Sequence, residues 1–354
     1  MAKLAIINDL HLGARTDSKV FLRHQEKFFS EIFFPTLKEY NIDTVLCLGD
    51  IFDRRKFINF FSLKRSKEFL FDPLRDNNIT MHTILGNHDT TFTNTNEVNS
   101  VALLLKEYSN IYLYEDEPTE LKFDNTRFLM APWFTKENIA NSMKIIKNST
   151  ADVLCGHLDL KGFEMMRGVL SDHGMDHAEF NHFEAVYSGH YHHPSHYGNV
   201  KYLGAQYEMN WSDYGVKKGF YLIDTETRDL TFIENPNKIY HKIEYDDLDL
   251  TIDEIASLDT SMLRDCFIKV MVRNRTNPYL YDMFLTRLNE SGAADVKTIE
   301  DLVNLDGITV DDMMEEAKDT KDILHTYIDN VETKLDKIKI KKVIDELYLE
   351  AMNI

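Results

Sequence analysis

Short, fully apolar runs alternate with amphipathic stretches through the first part of the chain. Leu4–Asn8, Thr44–Leu48, Thr80–Leu85, Phe128–Ala131, Asp152–Cys155 and Ala185–Ser188 are too short for helices and predict buried strands. Between several of them lie helix patterns. Phe21–Tyr40 is amphipathic, Phe60–Asp76 follows a basic turn, and Asn96–Tyr108 carries Val101, Leu104 and Leu105 on one side. Strand–helix alternation of this kind predicts the α/β class. The later runs Lys201–Leu203, Gly219–Asp224 and Asp229–Glu234 are β-rich, which suggests a second sheet packed on the first.

The pattern shifts after about Asn235. Residues 238–300 read as a small α+β unit, with Cys266–Arg273 as a strand, Asn277-Pro278 opening a helix and Gly292 closing it. An acidic stretch follows around Asp311–Glu316. Ile323, Leu324, Tyr327, Ile328, Val331 and Leu335 then repeat at helical spacing, and Ile340, Val343, Ile344, Leu347 and Tyr348 do so again. These narrow stripes suit a hairpin packed on its own chain or a docking site for a partner helix.

With 354 residues, the chain can hold one large catalytic domain and a smaller appendage. A hydrophobic share of 43%, with seven prolines and fourteen glycines, argues for a substantial core and against long disordered tracts. The formal net charge of -19 excludes DNA binding through the average surface. DNA contact would need local basic patches, metals or a partner subunit. None of Cys47, Cys155 and Cys266 sits in a CxxC pair, and the first two lie inside apolar runs, as small buried thiols do. This fits a reducing compartment. The opening MAKLAIINDLH enters a strand pattern without a signal-peptide h-region, and no apolar run approaches a membrane span. These features predict a soluble, cytoplasmic protein with no membrane association.

Five motifs follow the apolar runs: IINDLH with Asp9 and His11, CLGDIFD with Asp50 and Asp53, ILGNHD with Asn87, His88 and Asp89, LCGH with His157, and YSGHYHH with His190 and His192. Each should sit at the carboxyl end of a strand, and in an open α/β sheet those ends share one ligand-binding edge. Singly, each motif is ordinary turn chemistry. Together, two Asp, one Asn and four His make a mixed oxygen and nitrogen set that suits Mn, Fe or Zn better than an all-oxygen Mg site. Such a set can serve two divalent metals if one carboxylate bridges, and Asp50 is the natural bridge. Two such cations bring four positive charges and Asp9 and Asp50 cancel two, leaving room for a phosphodiester anion and a hydroxide. Neutral Asn87 preserves that surplus. Paired metals of this kind activate water for in-line attack on a phosphate. His24, His82, His173, His177, His182, His193, His196, His241 and His325 are expected to be ordinary hydrogen-bonded histidines, although His193 and His196 adjoin the fifth motif.

This order of motifs (DxH, GDxxD, GNHD, GH, GHxH) over about residues 1–235 resembles the calcineurin-like metallophosphoesterase superfamily. HTILGNHD, GDIFDRRKF and the C-terminal extension look most like its double-strand-break repair nucleases, the SbcD or meiotic recombination eleven type, and the compact length is similar to the tailed-phage members. The resemblance implies a two-sheet α-β-β-α sandwich over 1–235, a small α+β capping domain over 238–300 that helps hold DNA, and a 301–354 tail whose helices bind the coiled coil of an SbcC-like ABC-type ATPase. It implies one metal on Asp9, His11, Asp50 and His192 and another on Asp50, Asn87, His157 and His190, most plainly manganese. His88 would stand beside the scissile phosphate, with Asp53 orienting it; many relatives carry His at position 53. The implied activity is a 3′-to-5′ exonuclease on duplex ends and an endonuclease on single strands, in recombination and repair, in the host-cell cytoplasm if phage-encoded. The resemblance also implies a homodimer through helices after the second and third motifs, where Phe60, Phe61, Leu63, Val101 and Leu105 could pair with a second copy or pack in the core.

Arg54-Arg55-Lys56 should lie beside the metals and could meet phosphate. Lys64, Arg65, Lys67 and the lysines of Lys334 to Lys342 read as solvated helix faces. Two rivals remain. A protein phosphatase or cyclic-nucleotide phosphodiesterase would not need the tail, and a protein phosphatase would read GDxVDRG at the second motif. A non-catalytic scaffold should have lost ligands, and none is missing.

Overall fold

The structure, a computed structural model, describes residues 3–299, 328 and 337–352. The first sheet is built from β1 (Lys3–Ile7), β2 (Thr44–Cys47), β3 (Thr80–Ile84) and β4 (Ile111–Tyr114), with β13 (Gly219–Asp224) and β14 (Leu230–Glu234) added beyond β1, in the order β14-β13-β1-β2-β3-β4. The second sheet has the order β11-β12-β10-β7-β6-β5, from β5 (Thr119–Phe123), β6 (Thr126–Ala131), β7 (Val153–His157), β10 (Ala185–Gly189), β11 (Ser195–Tyr197) and β12 (Val200–Tyr202). A short hairpin, β8 (Glu164–Met166) and β9 (Val169–Leu170), lies between β7 and β10 in the chain. β1, β2, β3 and β4 are parallel, as are β6, β7, β10 and β12, so in each sheet the carboxyl ends of the central strands share an edge.

The strands are apolar on both faces because both faces are covered. Leu4 and Ile6 of β1 and Leu46 of β2 pack against Phe128 and Met130 of β6 and Val153 and Cys155 of β7, between the sheets. Their neighbours Ala5, Ile7, Val45 and Cys47 belong to a second core beneath the helices. The helical run Lys19–Tyr40 and the run Phe60–Asp76 supply that layer, each with one wider π-type turn, at Phe29–Phe33 and Lys67–Phe71. The wider turn brings Phe28, Phe29 and Phe33 into the core together. On the far side, the helix Ile139–Asn148 and the turn His177–Phe180 cover the second sheet with Ile146 and Phe180. The chain therefore forms the α-β-β-α sandwich that its motifs imply.

The helix expected over Asn96–Tyr108 is shorter, Ser100–Leu104. Thr91 N donates to Val98 O and Ser100 N to Asp89 O, which holds the preceding residues in a turn, and the Asn99 side chain caps Ala102 N at 2.8 Å. Beyond the sandwich, β15 (Tyr240–Asp246), β16 (Phe267–Asn274) and β17 (Asp295–Ile299) form a parallel three-stranded sheet with its own core of Tyr245, Ile268, Val270, Phe284 and Leu288. Its helix Pro278–Glu290 starts at Asn277, whose side chain accepts from Tyr279 N and Leu280 N, and Gly292 follows it with φ 81. Phe21, Trp211, Ile239 and Tyr240 join this unit to the helix Lys19–Phe28, beside a bidentate Arg23–Asp265 pair. The stripe Ile340–Tyr348 lies on the helix Lys337–Met352. Apart from Ile328, the stripe Ile323–Leu335 lies outside the described residues, as do Asp311–Glu316 and His325.

Candidate metal centre

All five motifs meet at the shared strand edge. Asp9 and His11 follow β1, Asp50 and Asp53 follow β2, Asn87 and His88 follow β3, His157 ends β7, and His190 and His192 follow β10. The loops turn so sharply that four candidate ligands adopt left-handed backbone: Asp9 (φ 49), His11 (φ 43), Asp50 (φ 54) and His190 (φ 89). Such conformations cost about 1–3 kcal/mol each and persist where the surroundings enforce them. Two glycines let the second and third loops cross. A Cβ on Gly49 would stand 2.5 Å from Gly86 N, and one on Gly86 would stand 2.2 Å from Asp50 Oδ1.

The donor atoms converge in two halves. In one, His11 Nε2 and His192 Nε2 are 2.9 Å apart, and Asp9 Oδ1 lies 3.9 Å from His192 Nε2. In the other, Asn87 Oδ1 lies 3.1 Å from His157 Nε2 and 3.0 Å from His190 Nδ1. Asp50 Oδ2 stands between the halves, 3.6 Å from His11 Nε2 and 3.5 Å from His157 Nε2. Asp9 also comes together with Asp50 and His157, so the two carboxylates and that imidazole form a second compact trio beside Asp9, His11 and His192. Asp9, His11, Asp50 and His157 are buried. Two imidazole nitrogens brought within 2.9 Å of each other, with carboxylate oxygens of Asp9 and Asp50 4.0 and 3.6 Å from His11 Nε2, form a donor set that fits divalent cations.

Outer contacts aim these atoms. His157 Nδ1 lies 2.7 Å from Leu48 O; a carbonyl only accepts, so Nδ1 carries the proton and Nε2 points inward. His190 N donates to both Asp9 oxygens at 3.0 and 3.1 Å, and His88 N donates to Asp50 Oδ1 at 2.7 Å. His88 Nδ1 sits 2.7 Å from Asp53 O, so Nδ1 carries the proton toward that carbonyl. The contact from residue 53 to His88 thus comes from the main chain. The Asp53 carboxylate reaches His11 Nδ1 at 3.3 Å.

Burial and charge set the protonation states of the metal-free centre. Burial pushes His157 down, but the charge and hydrogen bond of Asp50, then Asp9 and the Leu48 carbonyl, outweigh it and hold the imidazole up at about 9. Burial and the neighbouring His157 charge push His190 down to about 3. Asp50 is opposed by burial, yet His157, His88 and His11 hold it well below the usual carboxylate range.

Three residues to which the motifs assign no role support or border the centre. Buried Asp89 accepts from Asp50 N, Ile51 N, Phe52 N and Gly86 N at 2.8 to 3.2 Å, which ties the second loop to the third. Burial and then the Asp50 charge raise it to about 7. Buried Lys218 donates to His192 O at 2.7 Å. Half-buried Trp133, after β6, sets its ring centroid 5.2 Å from His190 and 5.9 Å from His157. Asp89 was visible in GNHD; no local pattern marks Lys218 or Trp133.

Other sequence expectations fall elsewhere. Val101 and Leu105 are core residues, while Phe60 and Phe61 are exposed. Arg54 pairs with Asp17 at 3.3 Å and lies over the Phe57 ring, and Lys56 is exposed. Arg65 pairs with Glu26 and Lys67 with Glu107. His193 Nε2 meets Glu164 Oε2 at 3.0 Å. The three cysteines are free and buried. No helix among the described residues is long and apolar enough to cross a membrane.

Comparison with known proteins places this centre in a family. The chain is 28% identical over 353 residues to exonuclease subunit 1 of Enterobacteria phage T4, covering 99% of both chains. Among solved structures, it matches a novel archaeal phosphodiesterase at 17% identity, over 66% of this chain and 99% of that one, with a TM-score of 0.33. It also matches the Pseudomonas putida nuclease MPE at 16% identity, over 56% and 66% of the two chains, with a TM-score of 0.29. The calcineurin-like phosphoesterase model matches residues 2–206, more than half of the chain, and the chain belongs to that family of metal-dependent phosphoesterases.

Proposed function

We propose that the chain is a two-metal DNA nuclease that works as the nuclease subunit of a complex. The observation that carries this reading is the position of Asp50 Oδ2, 3.6 and 3.5 Å from the inward nitrogens of His11 and His157, between two half-sites. One cation would be held by Asp9, His11, Asp50 and His192, the other by Asp50, Asn87, His157 and His190. The mixed oxygen and nitrogen donors favour manganese over magnesium. When bound, two such cations activate water and clamp a phosphodiester for in-line displacement.

The chain's own groups do the rest. His88, held by Asp50 and by the carbonyl of Asp53, presents Nε2 to the scissile phosphate, where it stabilises charge or protonates the leaving oxygen. Asp53 orients His88 through its carbonyl and His11 through its carboxylate. Lys56, exposed and just after the second motif in the chain, would meet the nucleic-acid backbone. The name of the T4 relative, an exonuclease subunit, supports a DNA substrate and a partner protein for this chain. The partner in this reading is an SbcC-like coiled-coil ABC-type ATPase, bound by the C-terminal helices. Residues 238–300 cap the nuclease domain of residues 1–235 and help hold DNA. A second copy would pair through exposed Phe60 and Phe61, since Val101 and Leu105 are committed to the core. The complex would cut duplex ends 3′-to-5′ and single strands internally, in recombination and repair, in the cytoplasm of the cell.

The test is manganese-dependent degradation of linear duplex DNA by the native chain and by Asp50→Asn, with and without the ATPase. Degradation that disappears in the variant is the expected result. No degradation by the native chain, even with the ATPase, would move the assignment to a small-ester phosphodiesterase.

A further inference from the structure

Of the strands whose ends reach the cleft, five carry the candidate ligands and His88. β6 carries none of them, and it runs through Ala131 and Pro132 into Trp133. The Trp133 indole stands tilted at 45° to the His190 ring, with centroids 5.2 Å apart, and edge-on to His157 at 5.9 Å. It is half-buried. Its main chain is held from both sides. Trp133 N donates to Leu85 O at 2.8 Å, the residue that leads into Gly86-Asn87-His88. Trp133 O accepts from Asn96 Nδ2 and from Asn138 Nδ2, each at 3.1 Å. The indole is held by its main chain beside His190 and His157, two of the residues that would hold a metal.

On the nuclease reading, on which this inference rests, the group next to a bound phosphodiester is a nucleobase. We propose that Trp133 is a stacking platform for the base adjoining the scissile phosphate, and so a specificity-determining residue that selects an unpaired nucleotide. Every base has a π-face, so such a platform tolerates any sequence. A base inside a duplex is already stacked and paired and cannot lie on the indole. A single strand or a frayed end presents one that can. The anchored backbone keeps the ordering cost low.

The chain has two tryptophans, and the other, Trp211, is only 7% exposed, packed on Tyr240 and beneath Lys269. Emission changes on binding therefore report Trp133. The probes are single-stranded oligothymidylate and an abasic phosphodiester oligomer of equal length. Manganese-loaded His88→Ser protein serves for binding, and the native chain serves for cleavage. The thymidylate should quench emission and bind about ten-fold more tightly than the abasic oligomer, in line with the worth of one base–aromatic stack. The native kcat/KM should show the same preference, carried in KM. Trp133→Ala should collapse both ratios toward one, and Trp133→Phe should keep most of each, which separates stacking from misfolding. Equal affinity for the two oligomers, or a preference that survives Trp133→Ala, overturns the stacking role, while cleavage of thymidylate by the native chain leaves the nuclease reading standing. Cleavage of neither oligomer overturns the nuclease reading and this inference with it.

Discussion

Lys218 donates from its buried ammonium to the carbonyl oxygen of His192 at 2.7 Å. The same ammonium forms an ion pair with buried Asp213, whose other oxygen accepts from Met209 N at 2.7 Å. Ala205 N also donates to His192 O. The backbone of this histidine is thus gripped from two sides, which aims Nε2 at His11.

Removing the ammonium should have two separable effects. Lys218→Met leaves the Asp213 carboxylate buried without its partner, which costs about 3–5 kcal/mol. It also releases the His192 carbonyl, and loss of such an outer contact lowers metal affinity about 10- to 100-fold. In Lys218→Met/Asp213→Leu the stranded charge is gone, so much of the stability should return, while metal affinity stays low. Denaturant melts and manganese titrations on both variants check this. An unchanged midpoint and unchanged affinity in Lys218→Met would show that the contact matters for neither.

His88 and Asp53 should part company under mutation. His88 contacts Asp50 through its amide and the Asp53 carbonyl through Nδ1, and a serine keeps the amide contact. His88→Ser should therefore bind manganese as the native chain does and lose about 100-fold or more in phosphodiester hydrolysis. Asp53→Ala keeps the carbonyl that holds His88 but strips the carboxylate from His11 Nδ1. Its loss should appear first as weaker metal binding. Calorimetric titration with manganese distinguishes the two, and reduced metal binding in His88→Ser would remove the role given to it.

The sandwich and the centre were legible because each rests on a strong local signal. A short apolar run ending in Asn-Asp, Gly-Asp, Gly-Asn-His-Asp or Gly-His marks both a buried strand and the turn after it, so the placement of Asp9, Asp50, Asn87 and His157 at one edge followed from the pattern. What was not legible depends on neighbours distant in sequence. The edge strand Thr119–Phe123 reads TELKF and is only half-buried, so it lacks the apolar run that marks a central strand. Lys218 looks like any surface lysine until Asp213 and His192 close over it. Trp133 belongs to no motif, and only the convergence of β6 with β7 and β10 brings it to the histidines. The direction of the Asp53 carboxylate is likewise set by where the His11 loop passes, which spacing within GDIFD does not encode.

Metal binding and metal-free stability should respond to pH in opposite directions. In the metal-free protein, Asp50 and Asp9 overcome burial and raise His157 to about 9, against an ordinary value of 6.5. The proton is then part of the fold. Its contribution is fully present below pH 6.5 and is lost as the pH rises through 9, because the folded chain binds more protons than the unfolded chain across that window. A metal needs the lone pair on Nε2, so it must displace this proton. His190, already pushed down to about 3, has none to give up. Apparent manganese affinity should therefore climb about ten-fold per pH unit from 7 toward 9 and then level off, with close to one proton released from this pair. Titrations in buffers of different ionisation heats would count that proton. Melting of the metal-free protein should show stability falling over the same range. An affinity that stays flat from pH 7 to 9 would mean that His157 is neutral before metal arrives, and that Asp50 does not hold its proton in place.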